Sequence, residues 1–283
     1  VQVSSSRAGQ AGDVVQSEAT PLYDIALHSD LGTNRETNED ACGYRFDKDG
    51  SLLFAVADGI GGYEGGEVAS AMAIEITLDA YCTSPPEWGP AKRLNRAFQR
   101  ANIEIHNKAL TIPELRRMGT TLTAAVIDHS ILHAAHVGDC RLFLIRRGKI
   151  SQLTKDHTVV QERVRMGLMT AARARNHPER SALSRSVGHE LIVSVDRITV
   201  GLEQHDRLLL CSDGLYNVLN EHELADSIAG RDGAAACKAL IEMANQRGTA
   251  DNLTAGVFTM KGPSSASPPP RGFWTRFAAH LRR

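Results

Sequence analysis

The chain has 283 residues, 42% of them hydrophobic, enough to bury the core of one large domain or two modest ones, and it lacks the run of roughly 18 apolar residues that a spanning helix needs. Lys and Arg total 32 against 33 Asp and Glu, a formal net charge of −1, so there is no bulk electrostatic case for nucleic acid and charged chemistry must be local. The five cysteines, Cys42, Cys82, Cys140, Cys211 and Cys237, are an odd number without C-x-x-C spacing, which argues against a disulfide framework or a thiolate zinc site and for a reducing cytoplasm.

Residues 1–20 are polar, small and aperiodic and lack the apolar core of a signal peptide, so they read as a disordered arm ahead of a folded domain at 21–261. A strand pattern starts at Tyr23. The polar loop TNRETNED then carries Arg35, Asn38, Glu39 and Asp40 to a strand at Cys42–Phe46. The stretch LLFAVADGIGGYEGG follows, an apolar run of strand length ending at Asp58. Gly59, Gly61, Gly62, Gly65 and Gly66 surround that acid, so the backbone can turn sharply and approach an ion or a phosphate. Glu67–Tyr81 sets Ala69, Met72, Ala73, Ile76 and Ala80 on one helical face. After the PPEWGP break the same spacing returns at Leu94, Ala97, Phe98, Ala101 and Ile105, which predicts a second helix on the same sheet.

Beyond these helices the period changes to two. Strands are expected at Thr121–Ile127, Ile131–Val137, Arg141–Arg146 and Lys149–Leu153, and their short connections suggest one antiparallel meander with Asp139 at the VGDCR turn. Residues 156–188 are polar and Arg-rich with one helical piece near Val159; they read as a mobile flap between strands. Strands resume at Ile192–Val200 and Arg207–Cys211, the latter running into SDG with Asp213. Helices are expected at about 221–229 and 234–246, and a turn holding Asp251 and Asn252 precedes the last strand. Residues 262–283 read as a Pro-rich linker and a basic amphipathic tail, Phe273, Trp274, Phe277 and Leu281 against Arg276, Arg282 and Arg283. Membrane contact through that tail is expected to give way to packing on its own domain, because so few turns bind a bilayer weakly.

Asp58, Asp139, Asp213 and Asp251 share one local grammar, a strand edge followed by an acid beside a small or polar residue. If the strands converge, so do the carboxylates, and carboxylates clustered away from water require cations. An all-oxygen set without His or Cys at ligand spacing selects Mg²⁺ or Mn²⁺ over zinc. Three aspartates with Glu39 would balance two divalent ions, a site receptive to phosphate, where an acidified water attacks phosphorus in line with the leaving oxygen and Arg35 holds the phosphate oxygens. Two rival readings are weaker. Cys140 and Arg146 have the C-x₅-R spacing of thiolate phosphatases, but the residues between them, RLFLI, read as a strand and not as a loop of amides. A dinucleotide fingerprint counted from Gly59 would place Glu64 where its third glycine belongs.

In order, RETNED, VADGIGG, GTTLTAAVI, AHVGDCRLFLIRRG, LTKDHTVVQE, LSRSVG, LLLCSDGL and DNLT resemble the metal-dependent type 2C protein serine/threonine phosphatases in their short bacterial form, over about Leu22 to Met260. The resemblance implies an α+β fold, a four-layer αββα sandwich of two antiparallel sheets flanked by helices, with a metal site at one edge. It also implies two Mn²⁺ or Mg²⁺ ions, bridged by Asp58, with the Gly59 carbonyl on one and Asp213 and Asp251 on the other, and a third, weaker ion at Asp139 and Asp213. Glu39 and Asp40 would orient bound waters, Arg35 would bind phosphate, and Thr120 and Asn252 would buttress the site. Two positions depart from the pattern: where relatives carry histidine near the DG pair this chain has Ile60 and Tyr63, so no side-chain general acid is assigned. The expectation is a cytoplasmic, monomeric signalling enzyme that dephosphorylates phosphoserine and phosphothreonine in proteins, including a Ser/Thr kinase that it opposes, with no nucleic-acid partner. The alternative is a catalytically weak phosphoprotein-binding regulator of the same fold.

Overall fold

The computed structural model describes residues 14–60 and 65–262. Strands β1 (Val14–Ala19), β2 (Tyr23–Asp30), β3 (Asp40–Phe46) and β4 (Leu52–Ile60) come first, followed by helices α1 (Gly66–Thr83) and α2 (Pro90–Thr111). Strands β5 (Gly119–Thr120), β6 (Leu122–Asp128), β7 (Ile131–Val137), β8 (Arg141–Arg146) and β9 (Lys149–Gln152) lead to the short helices α3 (Val159–Arg165) and α4 (Ala171–Arg175). The chain closes with β10 (Asp196–Gly201), β11 (Arg207–Cys211), α5 (Asp213–Tyr216), α6 (Glu221–Ile228), α7 (Gly233–Gln246) and β12 (Leu253–Met260). One sheet has the order β1-β2-β12-β11-β8-β9; the other runs β10-β7-β6-β4-β3, with β5 added beside β4.

Side-chain alternation along each strand builds four layers from these two sheets. On β4, Leu53, Ala55 and Ala57 pack beneath α1 and α2 with Ala73, Phe98 and Ile105. Leu52, Phe54 and Val56 point the other way, into a core between the sheets shared with Ile25, Leu142, Leu210 and Phe258. The second sheet repeats the rule: Leu209, Ala255 and Val257 meet Leu224, Leu240 and Ile241 of α6 and α7. The αββα sandwich expected from the sequence is therefore present.

Four expectations change. Val14–Ala19, assigned to the disordered arm, form β1 and pair in register with Asp24–Ser29. Edge pairing draws on backbone groups, which composition does not reveal; Val15 is 57% exposed, so side-chain burial contributes little. Residues 1–13 and the tail at 263–283 lie outside the described residues. The meander is not one sheet either: β6 and β7 pair in one sheet, β8 and β9 in the other. The VGDCR turn thus carries the chain across the inter-sheet layer. The strand expected from Ile192 starts at Asp196. Ahead of it, Asn102 Nδ2 donates to the carbonyls of Glu190 and Leu191, and Gln99 Nε2 to that of Val193, so this backbone is held by α2 instead of a neighbouring strand. Finally, the segment at 156–188 holds two helices where one was expected, N-capped by the Thr158 and Thr170 hydroxyls. Its base is pinned through Val159 to Ala182 and Ser184 to His157, and Val187 exchanges two backbone hydrogen bonds with Thr120.

Phe54 is fully buried between the sheets and stacks on Phe258 at 6.2 Å. Phe54→Ala is expected to cost about 3–5 kcal/mol of unfolding free energy in a urea titration. A loss below about 1 kcal/mol would mean that the two sheets do not close on this layer.

Candidate active site

The same alternation that fills the inter-sheet core places the acids at its edge. After Leu52, Phe54 and Val56, the next position on that face of β4 is Asp58; on β3, Cys42, Tyr44 and Phe46 share their face with Asp40. Asp40 and Asp58 are direct cross-strand partners. Like charges in that relation destabilise a sheet unless something neutralises them. Asp58 lies two residues inside β4, not at its end, because Gly59 and Ile60 continue the pairing with β5. Its backbone is held three times: Thr121 Oγ1 accepts from the Asp58 N–H at 2.9 Å, and the Asp58 carbonyl accepts from Thr120 Oγ1 at 2.9 Å and from the Thr121 N–H at 2.8 Å.

The opposite sheet supplies the partners of Asp40. Ser212 Oγ and Thr254 Oγ1 donate to its Oδ2 at 2.6 and 2.7 Å, tying β3 to the ends of β11 and β12. Burial pushes the Asp40 carboxyl up to about 7, against the pull of those hydroxyls. Asp58 is also raised, first by burial and then by Asp40, Asp213 and Asp139. Asp139 sits on the crossover between β7 and β8, where His157 holds both sides of Gly138: the Gly138 N–H donates to His157 Nδ1 at 3.0 Å, and the His157 N–H to the Gly138 carbonyl at 2.8 Å. Burial, Asp213 and Asp156 raise Asp139 to about 8. Asp213 opens α5, accepts from Asn217 Nδ2 at 3.0 Å, and rises to about 6 through burial and Asp251.

The loop ahead of β3 completes the site. Asn252 Oδ1 accepts the Glu39 N–H, and its Nδ2 donates to the carbonyls of Leu31 and Thr37, so one amide moulds the whole segment. Arg35 reaches back to Asp251 at 2.8 Å and to the Ala250 carbonyl. Burial raises Glu39 as well. Gly59 is sterically required, since a Cβ there would fall 2.2 Å from the Gly66 carbonyl oxygen and 2.7 Å from that of Glu39.

A cleft of about 450 Å³ gathers Arg35, Glu39, Asp58, Gly59, Asp139, Asp213 and Asp251 from five separate stretches of chain. Asp40, Thr120 and Asn252 stand behind it. Ile60, Thr121, Ser186, His189 and the run Ser181–Leu183 also line it; position 63 falls outside the described residues. Ser212, Thr254, Thr121, His157 and His189 were not found from the sequence. Ser212 and Thr254 carry a weak signal, each standing next to or near an acid at a strand end. Cys140 is fully buried against Thr121, and burial pushes its thiol well up, which removes it as a thiolate nucleophile.

The sequence model of the family described as Protein phosphatase 2C matches residues 32–255. The chain belongs to that family. Its activity class is accordingly protein serine/threonine phosphatase. A serine/threonine phosphatase (stp) of Listeria welshimeri is 37% identical over 237 residues, spanning 81% of this chain and 92% of the relative. The phosphatase PstP of Mycobacterium tuberculosis is 36% identical over 241 residues, 84% of this chain but 45% of that longer protein. The crystal structure of the M. tuberculosis PstP/Ppp phosphatase superposes with a TM-score of 0.78 at 33% identity, covering 85% of this chain and 100% of that one. The PstP catalytic domain in complex with two manganese ions gives 0.74 at 32% identity, covering 85% and 99%. No helix among the described residues is long and apolar enough to cross a membrane.

The raised carboxyls set a pH dependence for the protein without bound cations. Between about pH 4 and about pH 8 the native state keeps a proton on Asp139 that the unfolded chain gives up, and Asp58, raised by burial and the neighbouring carboxylates, acts in the same direction, so stability falls as pH rises through that interval. In chelator, the thermal midpoint is expected to drop across this range, and Asp58→Asn to flatten the drop. A slope that Asp58→Asn leaves unchanged would show that these acids are not repelling one another.

Proposed function

We propose that this phosphatase is a divalent-metal-dependent hydrolase of phosphoserine and phosphothreonine in proteins. The observation that carries the reading is the convergence of Asp58, Asp139, Asp213, Asp251 and Glu39 on one cleft beside Arg35. The donor set fits hard cations: it is all oxygen, and burial has raised most of its members, so the pocket holds more negative charge than the protein itself compensates. Among the described residues no three His, Cys, Asp or Glu side chains already close on a single point. That is compatible with Mg²⁺ or Mn²⁺, which keep several waters and take few carboxylates. Asp58, the Gly59 carbonyl, Asp213 and Asp251 would hold a pair of ions, and Asp139 with Asp213 a third.

Bound there, the ions would supply Lewis acidity and an acidified water for direct attack on phosphorus. The chain's own residues do the rest. Arg35, on the half-exposed rim, can release Asp251 and close its planar fork on two phosphate oxygens. Asp40, held by two hydroxyls from the opposite sheet, and Glu39, placed by Asn252, accept hydrogen bonds from water in the cleft and orient it. Thr120 and Thr121 fix the backbone of Asp58, so its carboxylate is held ready for the ions without reorganising. The hydrolase domain runs through 21–261 with β1 added at its edge, and the flap at 156–188 gates the cleft through Ser181–Leu183. Phosphorylated proteins in the cytoplasm are the substrates of this monomer, including a Ser/Thr kinase that it opposes. The gathering of Glu39, Asp58, Asp139, Asp213 and Asp251 at one cleft beside Arg35 supports turnover over a regulator without it.

Hydrolysis of a phosphoserine peptide in Mn²⁺ is expected to fall by at least roughly 10²-fold on chelation and in Asp58→Ala and Asp213→Ala, with circular dichroism unchanged. Full turnover in chelator, or a covalent phosphate trapped on the protein, would contradict the reading.

A further inference from the structure

The departing serine oxygen is a strong base, and little in the cleft can protonate it. Arginine does not give up its proton, hydroxyls are poor acids, and carboxylates that hold cations carry no proton; Glu39 is engaged with water, and water on the ions is the competing source that the test below separates from a side chain. Ile60 is aliphatic. Among the described residues lining the cleft, one imidazole remains, that of His189 at the end of the flap.

Its position follows from the strand register. Asp58 and Ile60 share a face of β4, and Ile60 pairs directly with Gly119 of β5. Side chains of paired residues stand side by side on one face. Gly119 has none, and the His189 ring fills the space: a Cβ on Gly119 would lie 2.8 Å from His189 Cε1 and 2.9 Å from Nδ1. The imidazole therefore stands beside the residue-60 side chain, on the face that carries Asp58. It is held there deliberately. Val187 exchanges backbone hydrogen bonds with Thr120, and the Gly188 N–H donates to Asn102 Oδ1 at 2.8 Å. The Arg117 carbonyl, 3.2 Å from Nε2, can only accept, so Nε2 carries a proton and is anchored. Nδ1 is left facing the Ser186 hydroxyl at 2.5 Å, and Ser186 also lines the cleft.

We propose that His189 is the general acid of this phosphatase, delivering its proton from the Nδ1 side. In the step, a bond forms from the attacking water oxygen to phosphorus, and the bond from phosphorus to the serine oxygen breaks. Its electron pair stays on that oxygen, which takes the Nδ1 proton of the imidazolium. Inorganic phosphate and a serine hydroxyl result, and the imidazole regains a proton equivalent to the one the water loses. The inference rests on the hydrolase reading above.

The test uses the full chain with Mn²⁺ and a series of phosphate monoesters, from p-nitrophenyl phosphate through phenyl phosphate to a phosphoserine peptide. His189→Gln keeps an N–H for the Arg117 carbonyl but has no titrating proton. Its loss in kcat is expected to grow with the basicity of the leaving group and to reach roughly 10²-fold on the peptide. His189→Ala should behave alike, and serves if the Gln variant fails to fold. A loss of equal size on every ester, or recovery by Gln of what Ala removes, would make His189 a packing residue and overturn the proposal. Failure of the wild type to hydrolyse any ester would instead sink the hydrolase reading itself.

Discussion

Two carboxylates face each other across neighbouring strands, and the rest of the molecule is arranged around that opposition. Asp40 and Asp58 close the polar end of a core that is otherwise apolar, built on residues such as Ile25, Phe54, Leu142, Leu210 and Phe258. A sheet of this kind gains nothing locally from the pair; charge repulsion and lost hydration both work against it. What makes it tenable is that the second sheet brings Ser212 and Thr254 within hydrogen-bonding reach of one acid. The other is left to the cleft, where a cation can serve it. Stability and function thus meet at one edge, and the site cannot be optimised for both in the absence of metal.

Topology accounts for how the remaining acids arrive. Crossing from β7 to β8 places Asp139 between the sheets, because the chain there leaves one layer for the other. α5 starts where β11 ends, so Asp213 projects from the first turn of a helix at the rim. The segment at 156–188 is tied at its two ends to the site itself: His157 grips the Gly138 backbone beside Asp139, and Val187 extends the short β5 that buttresses Asp58. That segment is therefore linked to the acids by hydrogen bonds, not by proximity alone.

Much of this was legible in the sequence because each acid motif is local, a strand edge with a small residue beside it, and alternation along a strand already says which face an acid shares. What alternation does not say is which sheet a strand joins. The break GDC is as short as a hairpin turn, so β7 and β8 read as neighbours although they sit in different layers. The partners of Asp40 stayed hidden for the same reason, since Ser212 and Thr254 reach it only through the stacking of two sheets. β1 escaped because its pairing is carried by backbone groups. His189 had no signal at all: its meaning comes from a missing side chain at Gly119, distant in sequence.

The account stands on the claim that the clustered acids exchange protons for cations. Calorimetric titration of Mn²⁺ into the metal-free protein at neutral pH, in buffers of differing ionisation heat, measures both events together. Uptake of a pair of ions with release of protons is the expected result, with both signals lost in Asp58→Asn. Saturable binding without proton release, or no binding, would contradict it.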